Sequence, residues 1–202
     1  MAAVPAPASA EIIAAGQRMD RNGWVPATAG NISLRLDDTT IAITASGVHK
    51  GFINPEQLMC VDLDGTPLSR GKPSAETLLH CQLYRIFPGT GAVLHGHSIA
   101  GTVLSMATRE DEIRFEQYEL LKAFEGQITH DSSVALPLVD NDQDIAALAR
   151  KVAPRLAMAP LGYLIRGHGV YVRGPDMATA LARLEGLEFL LSCELERRKL
   201  AR

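Results

Sequence analysis

The chain has 202 residues, 47% hydrophobic and 21% charged, a size and balance that suit one globular domain with a substantial core. Its formal net charge of −3 offers no basic footprint for nucleic acid, and no stretch approaches the roughly 18–20 apolar residues of a membrane span. Cys60, Cys81 and Cys193 are odd in number and scattered, which argues against a disulfide framework, fits a reducing compartment and makes the cytoplasm the expected location.

Residues 1–8, rich in Ala and Pro without a basic segment or a long apolar run, read as a disordered leader rather than a secretory signal, and residues 9–202 as a single domain. Ser9 predicts the N-cap of a helix over 9–22, with Gly23 as its stop. Ile32, Leu34 and Leu36 alternate with polar residues, as do Ile41 and Ile43, and Asp37-Asp38 between them predicts a β-hairpin. A loop over 44–51 leads to a strand over 58–63, closed by Asp64-Gly65. Ser74 predicts the cap of a helix over 74–87. The apolar run Gly91-Ala92-Val93-Leu94 reads as a buried strand ending in His95-Gly96-His97, and Ser98 caps a short helix to about residue 107. Residues 115–124 fit neither the helical nor the strand period. A strand is expected over 134–139, where Pro137 points to an edge or bulge, then an amphipathic helix over 142–156. Two strands flank His168, and Pro175 opens a long terminal helix in which Met177, Leu181, Leu184, Leu187, Leu191 and Leu195 keep helical spacing. The elements lack a regular βαβ rhythm, so the expected fold is α/β in a loose sense, a mainly antiparallel central sheet flanked by helices.

His95 and His97 stand at i and i+2 on one strand, so their rings share a face, with Gly96 keeping the backbone between them slim. His168 ends a second strand-like run and lies between Gly167 and Gly169. Three nitrogen ligands and an open position are the arrangement of a catalytic zinc; the plainer reading of a His-x-His pair is two half-buried side chains. His80 reads as a packing residue, His49 and His130 as loop residues, and Trp24 as packing for the first helix. Glu76 at a helix start and Glu119 among apolar neighbours are candidate proton carriers, because a carboxylate against apolar surface has a raised pKa. Their plainer readings are a first-turn helix acid and an exposed helix residue. Two glycine-containing loops could hold an anion, Gly30-Asn31-Ile32-Ser33 and the segment 46–51 with Ser46, Gly47 and Lys50, and Ser74 at a helix N-terminus could add a third contact. Each could equally be a simple turn. No Walker or dinucleotide fingerprint occurs, so a small phosphorylated substrate is expected rather than a nucleotide.

Together, Gly30-Asn31-Ile32-Ser33, Thr44-Ala45-Ser46-Gly47, the Ser74/Glu76 segment, His95-Gly96-His97-Ser98 and Gly167-His168-Gly169-Val170 resemble the class II aldolase/adducin family over residues 9–195. Lys72-Pro73-Ser74-Ala75-Glu76-Thr77 and Phe115-Glu116-Gln117-Tyr118-Glu119 are most similar to the dehydratases of that family. The resemblance implies one zinc per chain held by His95, His97 and His168, and a sugar phosphate gripped by Asn31, Ser46, Gly47 and Ser74. It also implies a homotetramer and dehydration of a ketose 1-phosphate, with aldol cleavage or epimerisation of another sugar phosphate as the alternative. The position matching Glu76 is the acid/base in the aldolases and the position matching Glu119 in the dehydratases; this chain has both, and the better match to the dehydratases favours Glu119.

Overall fold

The computed structural model describes residues 3–201. Helix α1 (Ala6–Arg21) starts three residues before the expected Ser9 cap, and Pro5 occupies the cap position. Pro7 follows in the first turn, where a missing N–H has no intrahelical partner to lose. Ser9 is instead buried, with its N–H already bonded to the Pro5 carbonyl at 2.9 Å. The expected leader thus gives residues 6–8 to α1, and residues 1 and 2 lie outside the described residues.

Strands β1 (Asn31–Arg35) and β2 (Thr40–Thr44) form the expected hairpin, and β3 (Leu58–Asp62) pairs with β2. Helix α2 (Thr77–Ile86) begins three residues after Ser74, because the Ser74 carbonyl closes a turn onto the Thr77 N–H and hydroxyl before regular helix sets in. Strand β4 (Ala92–Gly96) and helix α3 (Ile99–Ala107) follow as expected, with Ser98 Oγ accepting from Gly101 N at 3.0 Å. The segment of unclear period resolves into strand β5 (Glu112–Glu116) and a 3₁₀ turn (Glu119–Ala123). Gln117, at φ 60°, breaks the two apart.

Strand β6 (Ser133–Val139) is second from the edge, not the edge strand that Pro137 suggested. It tolerates the proline because pairing with β7 (Tyr163–Ile165) starts only at Leu138, so no ladder bond to β7 is lost at Pro137. Helix α4 (Ile145–Val152) is capped by Asp144 and gives way to a 3₁₀ turn (Ala153–Met158) around Pro154, shortening the expected helix at both ends. After β8 (Val170–Gly174), helix α5 (Met177–Leu200) is capped by Asp176, so Pro175 precedes the cap rather than opening the first turn.

The eight strands form one sheet in the order β3-β2-β1-β4-β8-β7-β6-β5. All pairings among the described residues are antiparallel except β6–β7, so the sheet is mainly antiparallel, as expected, with one parallel pair. Alternation along β4 sends Ala92 and Leu94 into a core shared with α1, α3 and α5, and Val93 into a core shared with α2 and α4. Burying one such aliphatic side chain contributes about 1.5–3 kcal/mol. β4 lies near the middle of the sheet, between β1 and β8, so its C-terminal end is flanked on both sides by ordered backbone.

Candidate active site

His95 sits near the C-terminal end of the β4 ladder, paired with Asn31 of β1 and Tyr171 of β8. Its ring is fully buried and stacks on Tyr171 at 4.0 Å between centroids. Tyr171 in turn stacks on Tyr163 of β7 at 4.8 Å. His95 Nδ1 donates to the Val170 carbonyl at 2.8 Å, which leaves Nε2 unprotonated and aimed into the site. His97 follows on the same side, and its backbone N–H is held by the Trp24 carbonyl at 2.7 Å. Trp24 thus contributes its main chain to the site as well as packing against the core.

His168 lies in the tight turn between β7 and β8, its N–H bonded to the Ile165 carbonyl at 3.1 Å. Arg166 bolts that turn to the end of α3 by donating to the carbonyls of Ser105 and Thr108, and the Ser105 hydroxyl accepts from Gly167 N at 2.9 Å. Gly169 is a glycine that the site cannot lose. A Cβ there would stand 2.2 Å from the Gly96 carbonyl oxygen and 2.9 Å from His95 Cε1. Gly96, expected to keep the strand slim, has ordinary space instead, its nearest contact being 3.4 Å.

The three imidazoles converge, with one nitrogen from each within 4.8 Å of the others. Nε2 of His97 and Nε2 of His95 are 2.9 Å apart, and burial lowers both rings, His95 to about 3 and His97 to about 4. Three imidazole nitrogens aimed at one point, one of them oriented by a backbone carbonyl, suit a divalent ion. His80, His49 and His130 stand apart from this group, as expected. His80 is buried on α2, His49 accepts from Gly51 N at 3.2 Å, and His130 lies 3.9 Å from Glu119.

Glu76, in the N-cap position of α2, reaches the cluster. Its carboxylate lies 2.8 Å from His168 Nε2 and 3.2 Å from His95 Nε2, and it accepts from Asn31 Nδ2 at 2.7 Å. Burial works against its charge, but His95, His168 and the Asn31 amide outweigh burial and hold the carboxyl well below the usual carboxylate range. The expected raised pKa is therefore corrected to a lowered one, because donors surround the group where apolar surface was anticipated. Glu119 also departs from expectation. It sits on the 3₁₀ turn with its side chain 73% exposed, paired with Lys122, which lowers its pKa; among the described contacts none joins it to His95, His97 or His168.

The anion-loop residues do gather. An isolated bridge between Ala45 and Pro73 lays the Ser46-Gly47 loop beside Ser74. Ser46 N is spent on the Lys72 carbonyl at 3.0 Å, leaving its hydroxyl on the exposed side. Asn31 Nδ2 also donates to Ser74 Oγ at 2.9 Å. Lys50 is buried, its ammonium donating to the carbonyls of Thr28 at 2.7 Å and Val48 at 2.5 Å. Burial lowers its pKa to about 8, against the field of nearby Glu76.

With this geometry in place, comparison with known proteins is decisive. Residues 10–195 match the sequence profile of the class II aldolase and adducin N-terminal domain. The chain belongs to that family. It is 64% identical over 193 residues to a methylthioribulose-1-phosphate dehydratase of Gluconacetobacter diazotrophicus, covering 95% of this chain and 94% of the relative. It is likewise 64% identical over 200 residues to a methylthioribulose-1-phosphate dehydratase of Granulibacter bethesdensis, covering 96% and 93%. Among solved structures, an L-fuculose-1-phosphate aldolase from Thermus thermophilus superposes with a TM-score of 0.79 at 26% identity, covering 97% of both chains. No helix among the described residues is long and apolar enough to cross a membrane.

Proposed function

We propose that this chain is a hydro-lyase that converts 5-methylthioribulose 1-phosphate to 2,3-diketo-5-methylthiopentyl 1-phosphate, a step of methionine salvage, in the cytoplasm. The observation that carries the reading is near-full-length identity of 64% to proteins of that name, in a chain whose histidines and Glu76 converge on one point. Three free cysteines without a disulfide support the reducing location.

His95, His97 and His168 would hold one zinc ion per chain. Bound there, the ion supplies a Lewis acid beside the substrate carbonyl. Asn31, Ser46, Gly47 and Ser74 form the phosphate cradle, aided by the positive charge of Lys50, which is close enough to feel the field of Glu76. In the elimination, the C3–H bond breaks and its electron pair forms the C3–C4 double bond, while the C4–O bond breaks and water leaves. The resulting enol tautomerises to the diketone. Glu76, ionised and at the cluster, accepts the C3 proton; Glu119 serves as acid/base for the departing hydroxyl.

Glu119 is exposed and has no described contact with its own cluster, so this role places it at the site of a neighbouring copy in a homotetramer. Ile99, Val103 and Met106 support such a contact. They form an exposed apolar stripe at i, i+4 and i+7 on α3, beginning two residues after His97.

Incubation of the zinc-loaded protein with 5-methylthioribulose 1-phosphate, followed by mass spectrometry, tests the reading. Loss of one water is expected, whereas release of a small ketone phosphate would mean aldol cleavage instead.

A further inference from the structure

Behind the Asn31 amide runs a buried polar chain that no substrate contact requires. His80 of α2 is fully buried, with Nε2 against Asn31 Oδ1 and Nδ1 2.7 Å from Ser33 Oγ. Ser33 Oγ lies 2.9 Å from the hydroxyl of Tyr84, and both residues are buried. Residues two apart on a strand share a face, as do residues four apart on a helix. The Asn31/Ser33 pair of β1 therefore meets the His80/Tyr84 pair of α2 as a set.

The donors in this chain can run in only one direction that satisfies Glu76. A carboxylate accepts and never donates, so the Asn31 nitrogen must face Glu76 and its oxygen must face His80. That oxygen also only accepts, so His80 carries its proton on Nε2. A neutral imidazole then presents Nδ1 as an acceptor, which the Ser33 hydroxyl fills, and Ser33 Oγ accepts from Tyr84. Burial, opposed by Glu76, lowers His80 to about 4, so the ring is neutral at pH 7. With the opposite tautomer the Asn31 amide could turn over and press its oxygen against the Glu76 carboxylate.

We propose that His80 is a positioning residue of this site: its Nε2–H, oriented by Ser33 and Tyr84, locks the Asn31 amide so that one nitrogen holds both the Glu76 carboxylate and the Ser74 hydroxyl. The proposal rests on the reading of Glu76 as part of the reacting centre. Packing alone would not need these residues, since an apolar side chain fills a buried position without desolvating polar groups.

Two measurements test it on the metal-loaded protein. Histidine-selective ¹⁵N labelling with long-range ¹H–¹⁵N spectra should show His80 as the Nε2–H tautomer; an Nδ1–H ring overturns the proposal. In kinetics, His80→Leu should lower kcat by about 10–100-fold with metal content retained and KM changed far less. His80→Gln, whose amide nitrogen can still donate to Asn31, should recover most of that loss. Equal losses in the two variants, or a His80→Leu protein with wild-type kcat, overturn it. Should His80→Leu not fold, the wild-type tautomer decides alone. A wild-type protein that does not dehydrate the substrate sinks the functional reading, while the spectrum still tests the donor chain.

Discussion

Glu76 and Glu119 occupy two regions built on different terms. Around Glu76, strands β1 and β4 and the β7–β8 turn supply the partners, and two of them are held by contacts of their own: His95 by Val170 and Tyr171, and Asn31 by its strand and by His80. Around Glu119, a short 3₁₀ turn beyond the edge strand leaves the carboxylate in solvent with Lys122 and His130. The first region is organised within a single chain. The second acquires chemistry only if something packs over it. The contrast teaches that a family motif can place a residue type at a position while the neighbours that give it a task come from elsewhere.

Emptying the buried region should have the largest effect. His97→Ala should lose bound metal and activity together, read by elemental analysis and by turnover, whereas His130→Ala beside Glu119 should keep its metal. Next come the two carboxylates. Glu76→Gln and Glu119→Gln should each lower kcat by about 10²–10⁴-fold, but only Glu76→Gln should also weaken metal retention, because of the two only Glu76 touches His95 and His168. Mixing Glu119→Gln with His97→Ala protein after subunit exchange should restore part of the activity if Glu119 serves a neighbouring site. No restoration would confine each site to one chain.

Acid should distinguish the regions again. His80, His95 and His97 are lowered to about 4, 3 and 4, so they stay neutral in the folded protein while an unfolded chain binds protons below about pH 6.5. The unfolded state then holds more protons, and stability falls as pH drops from about 6.5 toward 4, by about 1.4 kcal/mol per pH unit for each such group. Urea melts of chelator-treated protein at pH 7 and pH 5 check this, with a flat midpoint as the contrary result. The smallest effect is expected at the cradle. Ser46→Ala should raise KM by about tenfold, the worth of one hydrogen bond to a charged group, with kcat nearly unchanged. Steady-state kinetics would expose a loss in kcat instead.

Much of this site was legible in the chain. The His95/His97 pair follows from strand alternation, and Gly167-His168-Gly169 marked a turn that could present a third ring. The reason for the glycines was misplaced: Gly169, not Gly96, is where a side chain cannot fit. His80 looked like packing because a helix position reveals burial but not a partner 49 residues away. The pKa of Glu76 was misjudged in sign, since local apolar neighbours say nothing of the imidazoles and amide that other strands bring. Trp24 reads as packing and does pack against the core, but its grip on the His97 N–H is invisible in the chain, because a backbone carbonyl has no sequence signature.

Most of the elements and their order, the α/β class and the types of side chain available for chemistry are legible in the chain, because periodicity, caps and turns act within about ten residues; β5 and the 3₁₀ turn after it are not. Family membership is legible too, through motifs spread over most of the chain. Which of those side chains meet depends on the packing of the sheet and its helices. The sheet order sets β4 between β1 and β8, and that placement joins Asn31 to Ser74 across 43 residues and His95 to Val170 across 75. Contacts at such separations depend on how strands pair and helices cover them. The ionisation of Glu76, the orientation of Asn31 and the exposure of Glu119 are properties of that packing, and no local run of residues encodes them.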